Sequence, residues 1–126
     1  MMNPLYMEDT VWASMPIEGF EKNYLISQCG SIWSVKKNLF LTTNLNDGCV
    51  DRPAEYHYVR AHLYAGSKRK HIRVHRAVAL AFVPNPDPDR FSEVDHIDRD
   101  KLNNHYSNLR WVDRLTNMQN IERNPA

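Results

Sequence analysis

The sequence predicts an α+β protein in which a small N-terminal antiparallel β-sheet precedes a compact C-terminal strand, loop, strand and helix. Three observations lead there. The first half alternates β-branched and aromatic runs with turn residues, an Ala-rich apolar segment near the middle is stopped by prolines, and two extended pieces flank a polar loop ahead of a last helical stretch. A chain of 126 residues can form one compact domain, or two small lobes that share a core. Six Tyr, four Phe and three Trp supply the bulk for it.

From about Val11 to Lys70 the elements are short strands. Tyr24-Leu25-Ile26 and Ser31-Ile32-Trp33-Ser34-Val35 are separated at Gly30, and Asn46-Asp47-Gly48 signals the next turn. Between Tyr56 and Tyr64 a two-residue alternation places Tyr58, Arg60, His62 and Tyr64 on one face, with His57, Val59, Ala61 and Leu63 on the core face. Strand character continues through Lys70 to Val74. Arg76 to Phe82 predicts a short buried helix ended by Pro84 and Pro86, and Pro84 to Asp89 is a stiff surface connection. An extended piece from Glu93 to Ile97, a polar loop from Asp98 to Ser107 and a second extended piece from Asn108 to Val112 follow. Asp113 is a good N-cap for the last helix, in which Leu115, Met118 and Ile121 at spacing of three make a narrow apolar edge. Arg123 to Ala126 reads as a loose tail.

A net charge of +1 does not announce a nucleic-acid protein, but the distribution is uneven. Lys68, Arg69, Lys70, Arg73 and Arg76 form a basic stretch ahead of an acidic one running from Asp87 to Asp100. Charge alone describes two solvated faces as well as it describes a binding surface. Cys29 and Cys49 stand apart with no Cys-x-x-Cys pair, which argues against a structural zinc site and a disulfide scaffold, and fits a reducing cytoplasm. No segment resembles a signal peptide or reaches the roughly 20 apolar residues of a membrane span. His71 and His75 are four apart, but the segment reads as strand turning into helix and no Glu follows His71, so zinc is not expected there. Trp12, Trp33 and Trp111 read as core rather than as base-stacking platforms.

Hydrolysing a phosphodiester needs an activated water, a cation that neutralises charge growing on the phosphoryl and leaving oxygens, and ligands that hold that cation open to substrate. Histidine can accept a proton near neutral pH, and carboxylate or carboxamide oxygens suit a hard ion. Asp95-His96, Asn108 and Asn117 offer that set on the strand, loop, strand, helix frame. Val94-Asp95-His96-Ile97-Asp98-Arg99-Asp100-Lys101-Leu102-Asn103-Asn104, then Ser107-Asn108-Leu109-Arg110-Trp111-Val112, then Thr116-Asn117-Met118-Gln119-Asn120, resembles the HNH homing endonucleases of phages, whose active site is a ββα-metal fold. Val74-His75-Arg76-Ala77-Val78-Ala79-Leu80-Ala81-Phe82 looks like the segment leading into that unit. Trp12, Pro16 to Phe20, Tyr24 to Ser27 and Gly30 to Ser34 resemble the small N-terminal module often called NUMOD4. The likeness spans roughly Val11 to Ile121.

It implies a β-rich DNA-binding module over residues 11–70 and an HNH nuclease unit over residues 71–122. It implies His96 as general base, Asp95 and Asn117 as ligands of one divalent cation, Mg²⁺ with Mn²⁺ as substitute, and Asn108 as the brace of the loop that presents His96. The implied reaction is in-line attack of water on DNA, leaving a 5′-phosphate and a 3′-hydroxyl, by a phage-encoded protein in the host cytoplasm, monomeric or homodimeric. Lys68, Arg69, Lys70, Arg73, His75, Arg76, Arg110 and Arg114 are the candidates for DNA contacts, with His75 and Arg76 open to a buttressing role instead. Asn103 and Asn104 are expected to close the loop through local hydrogen bonds. Neighbours on a regular strand point to opposite faces, so the strand must end or twist at Asp95-His96 if both are to serve one site. Arg99 stands where the family often has Gly, so a turn that accepts positive φ is built differently here. Two other readings remain: a DNA-binding module that kept this fold without turnover, favoured by metal-independent binding, and a zinc-stabilised interaction domain, disfavoured by the isolated cysteines.

Overall fold

The computed structural model describes residues 10–43 and 58–122. The first stretch is an antiparallel meander of β1 (Trp12–Ser14), β2 (Tyr24–Ser27), β3 (Ile32–Ser34) and β4 (Leu39–Phe40) in sequential order. Pairing of Leu25 with Trp33 and of Trp33 with Phe40 fixes its register. Trp33 meets the Phe40 ring edge to face at 4.9 Å, a preferred aromatic geometry. The sheet turns between β2 and β3 at Gly30, where φ is +93°.

The second stretch opens with a separate hairpin, β5 (Arg60–Ala65) and β6 (Lys68–Arg73), closed at Gly66. One antiparallel sheet is expected of the first half, and two form. The alternation is as read: Ala61 and Leu63 are fully buried, while His62 and Tyr64 face solvent. The chain passes from β6 straight into α1 (Val74–Phe82), two residues earlier than the Ala-rich segment indicates, and Val74 N–H donates to Val59 O at 2.9 Å. Val74, Ala77 and Val78 give α1 its buried stripe, and the helix ends at Val83, immediately before Pro84.

A third, two-stranded antiparallel sheet joins β7 (Glu93–His96) to β8 (Leu109–Val112) across the polar loop and a 3₁₀ turn (Tyr106–Asn108). α2 (Arg114–Glu122) packs against β7. Asp113 caps it, its carboxylate accepting from Thr116 N–H at 2.7 Å. The expected apolar edge of α2 is not a buried one: Leu115 is 66% exposed and Met118 46%, whereas Thr116 and Asn117 are half-buried. Spacing identifies a stripe but not whether another element lies over it.

Met15, Ile26 and Ile32 from the meander, Leu63 from β5, Val78 from α1, and Val94 and Leu109 from the third sheet belong to one continuous core. Each such side chain contributes roughly 1.5–3 kcal/mol by leaving water, so both halves of the chain draw stability from the same burial. No helix among the described residues is long and apolar enough to cross a membrane. The Asn46-Asp47-Gly48 turn, Cys49, Tyr56 and His57 at the start of the expected strand, the side chain of Ile121 and the tail 123–126 lie outside the described residues.

Candidate active site

β7 ends at His96, and the backbone turns there at once. Arg99 N–H donates to His96 O at 2.9 Å, with Arg99 at φ +65°, the left-handed region that glycine adopts without strain. The position does demand positive φ, and this chain meets the demand with a side chain in place. The loop is then tied across its base by Asn108. Its side-chain oxygen accepts from Asp98 N–H at 3.1 Å, its amide nitrogen donates to the Asp98 carboxylate and to Asn103 O, both at 2.9 Å, and Asn108 O accepts from Ile97 N–H. Burial pushes the Asp98 carboxyl up, but hydrogen bonds from Asn103, the Asp100 backbone and Asn108 outweigh it and hold it below the usual range.

Asp95 and His96 are both almost fully buried, at 3% and 4% exposure. Asp95 pairs across the sheet with Arg110, whose Nε lies 2.8 Å from Oδ2, and the Arg110 side chain is 47% exposed. His96 makes different contacts. Its Nε2 lies 2.7 Å from Oδ1 of Asn104, and its ring stands 4.9 Å from the His75 ring and 5.9 Å from Tyr58. Burial lowers the pKa of His96 against the opposing effects of Asn104, Asp95 and Asp98, so the uncharged ring is favoured. Asn117 sits half-buried near the start of α2, its backbone N–H bonded to Asp113 O, on the helix that lies against β7.

Burial also lowers His75, to about 2, helped by its neighbours His96, Arg73 and Arg76. His75 is stacked on Tyr58 at 4.6 Å, and its Nδ1 is buried with no hydrogen-bond partner among the described residues. At 5% exposure, and packed between Tyr58 and His96, His75 is placed as a buttress of the histidine pair, the other of the two roles open to it. Lys68, Arg69, Lys70, Arg73, Arg76 and Arg114 are all exposed. Arg76 donates to Ser92 O at 2.7 Å and lies 5.5 Å over Trp111, while Arg73 lies 5.2 Å over Tyr58. Arg110 is engaged with Asp95.

Two residues of the site escape the sequence reading. Tyr58 packs on the histidines, and burial raises its pKa. Asn103 bonds locally to Asp98 at 3.0 Å as expected, but Asn104 reaches His96. The paired asparagines seven and eight residues after the histidine are the signal that singles them out, although it does not say which of the two turns inward.

The family model described as HNH endonuclease matches residues 73–119. The chain is 36% identical over 105 residues to the DNA endonuclease I-HmuI of Bacillus phage SP01, covering 82% of this chain and 54% of that protein. It is 36% identical over 100 residues to the H-N-H endonuclease F-TflII of Escherichia phage T5, covering 75% and 48%. An uncharacterised HNH endonuclease of Acanthamoeba polyphaga mimivirus is 34% identical over 115 residues, 91% of this chain and 27% of that protein. A solved structure titled DNA binding and cleavage by the HNH homing endonuclease I-HmuI superposes with a TM-score of 0.71 at 32% identity, over 87% of this chain and 56% of that one. The chain thus spans about half or less of the length of these relatives.

Proposed function

We propose, from the premise that residues 73–119 form an HNH endonuclease domain, that this protein cleaves DNA by metal-dependent hydrolysis of phosphodiester bonds. The observation that carries the reading is the buried pair at the end of β7: a histidine held uncharged, with one ring nitrogen already bound, beside a buried carboxylate. A base that must take a proton from water near neutral pH needs a free lone pair and a fixed direction, and His96 has a partner that sets its direction. Its neighbour Asp95 and the carboxamide of Asn117 on the adjoining helix are the proposed metal ligands. Oxygen donors of that kind fit a hard divalent ion, Mg²⁺ or Mn²⁺, which keeps several waters and takes few protein ligands. Bound there, such an ion would neutralise charge on the phosphoryl and leaving oxygens.

The chain's own residues do the rest. His96 removes a proton from the attacking water, Asn108 keeps the loop from swinging His96 away, and Arg110 fixes the orientation of the Asp95 carboxylate. In-line displacement then leaves a 5′-phosphate and a 3′-hydroxyl. DNA would approach along β6 and the outer side of α1. A cleft of about 500 Å³ there is lined by Arg60, Lys70, Arg73 and Arg76 among others, Lys68 and Arg69 extend the charge along β6, and Arg114 is a further exposed cation on α2. In this division of roles residues 11–70 help to hold DNA and residues 71–122 cut it, within one shared core. The relatives named as phage endonucleases support a phage origin, with action in the host cytoplasm.

Supercoiled plasmid treated with the purified protein in EDTA, Mg²⁺ or Mn²⁺, beside His96→Ala and Asn117→Ala, tests the reading. Metal-dependent cleavage should fall by about 10²–10⁴-fold in His96→Ala, the range for loss of a general base. Asn117→Ala should demand more metal for the same rate. Nicked circle as the early product marks a monomer with one site, and direct linearisation marks a dimer. Binding without cleavage under every metal, on plasmid and on DNA of the native host, would replace the nuclease by a DNA-binding module of the same fold.

A further inference from the structure

We propose that Asn104 is a positioning residue for cleavage: its side-chain oxygen fixes the tautomer and aim of His96, and the β2–β3 turn of the N-terminal sheet seats Asn104 for that task. The 2.7 Å contact joins His96 Nε2 to Oδ1 of Asn104, an atom that can only accept. Nε2 therefore carries the proton and Nδ1 the lone pair, so Nδ1 is the nitrogen this proposal assigns to the attacking water. An imidazole without such an acceptor divides itself between two tautomers and rotates about its bond to Cβ. The one held here is always presented the same way.

Asn104 is itself buried, at 6% exposure, and its back lies against the other half of the chain. A Cβ placed on Gly30 would stand 3.3 Å from Asn104 Cβ and 2.9 Å from Val74 Cγ1, so the turn backbone is flush against both side chains and only glycine permits the approach. Tyr106 N–H donates to Gln28 O at 2.9 Å, tying the far end of the same loop to the same turn. Ser27 Oγ accepts from Cys29 N–H at 3.2 Å and Ser31 N–H at 2.9 Å, which holds the shape of the turn from within. Asn108 braces the loop internally, whereas this turn braces it from outside. The N-terminal sheet thus takes part in the geometry of the reaction as well as in holding DNA.

The kinetic part rests on the function proposed above, so the test has one arm that does not. Nitrogen-15 NMR of the histidine rings in the full chain, at a pH where His96 is uncharged, should show His96 in the Nε2–H form. Asn104→Ala should shift it toward the Nδ1–H form, and Asn104→Asp, which keeps an acceptor oxygen, should restore Nε2–H. In cleavage assays Asn104→Ala should lose about 10²-fold in kcat with DNA affinity unchanged, toward the low end of what a general base contributes, and Asn104→Asp should recover most of it. Should Asn104→Ala lose its fold, Asn104→Ser, too short to reach the ring, makes the same comparison. Gly30→Ala should perturb the His96 resonances in the same direction, and unchanged resonances would overturn the part given to the turn. His96 in the Nδ1–H form in the unaltered protein, or a tautomer indifferent to Asn104→Ala and Asn104→Ser, would overturn the proposal. A protein that cuts nothing yet shows the predicted tautomers would sink the nuclease reading and leave Asn104 as the holder of His96.

Discussion

The two elements that carry the candidate site, β7 and α2, are built to opposite standards of burial. On β7, Val94, Asp95 and His96 are all buried, and the neighbouring β8 contributes Leu109 to the common core. On α2, Leu115 and Met118 lie open, and Asn117 is half-buried. The proposed base is therefore fixed by the folded chain itself, whereas the proposed ligand on α2 rides on a helix held mainly by its contact with β7 and its Asp113 cap. If His96 is the proton acceptor and Asn117 a ligand, the acceptor is the more deeply packed of the two.

That contrast can be broken where it is widest. Leu109→Ala should cost about 2–5 kcal/mol in urea unfolding, the range for a leucine removed from a packed core. The buried histidines give the next effect. His75 stays uncharged in the fold down to about pH 2, while the unfolded chain protonates it near 6.5. Between those values the unfolded state binds more protons, so stability should fall as pH drops from 6.5, by up to about 1.4 kcal/mol per pH unit from this residue, and should be independent of it above. His75→Phe keeps a ring against Tyr58 and should flatten the acid limb of unfolding midpoints measured between pH 7 and 5. Arg99→Gly should raise stability by about 1 kcal/mol, since it relieves a left-handed residue at the end of β7, and an unchanged midpoint would mean that the arginine side chain offsets its own strain. The smallest change is expected on α2: Leu115→Ala should stay within about 0.5 kcal/mol, and a cost above 1 kcal/mol would show that its apolar edge is covered in solution.

Much of this fold is legible in the sequence because it rests on local rules. Alternation from Tyr58 to Tyr64 put Ala61 and Leu63 on the core side, Pro84 closed α1, and the carboxylate of Asp113 marked the start of α2. What periodicity could not supply was anything that depends on the path of a loop or the presence of a cover. Asn103 and Asn104 are identical side chains one position apart, and only the course of the backbone sends one to Asp98 and the other to His96. The same reason hid Tyr58, which meets the histidines from a distant strand entry, and the exposure of Leu115 and Met118. The two roles left open for His75 could not be separated because a basic sequence neighbourhood looks alike whether its members point outward or, as His75 does, inward. The Arg99 departure was visible at once, and its price is written in the backbone angle.

The continuous core also bears on how such a protein changes over evolutionary time. Side chains on both sides of residue 70 interlock, and β6 itself runs from Lys68 to Arg73 across that boundary. Recombination that exchanged the front half for another module would carry in Met15, Ile26 and Ile32 equivalents shaped for a different partner, and would move the turn at Gly30 off the loop that holds Asn104. Change is therefore accommodated more readily at exposed residues of the β5–β6 hairpin than by shuffling whole modules, and engineered chimeras should place their junction outside this shared interior.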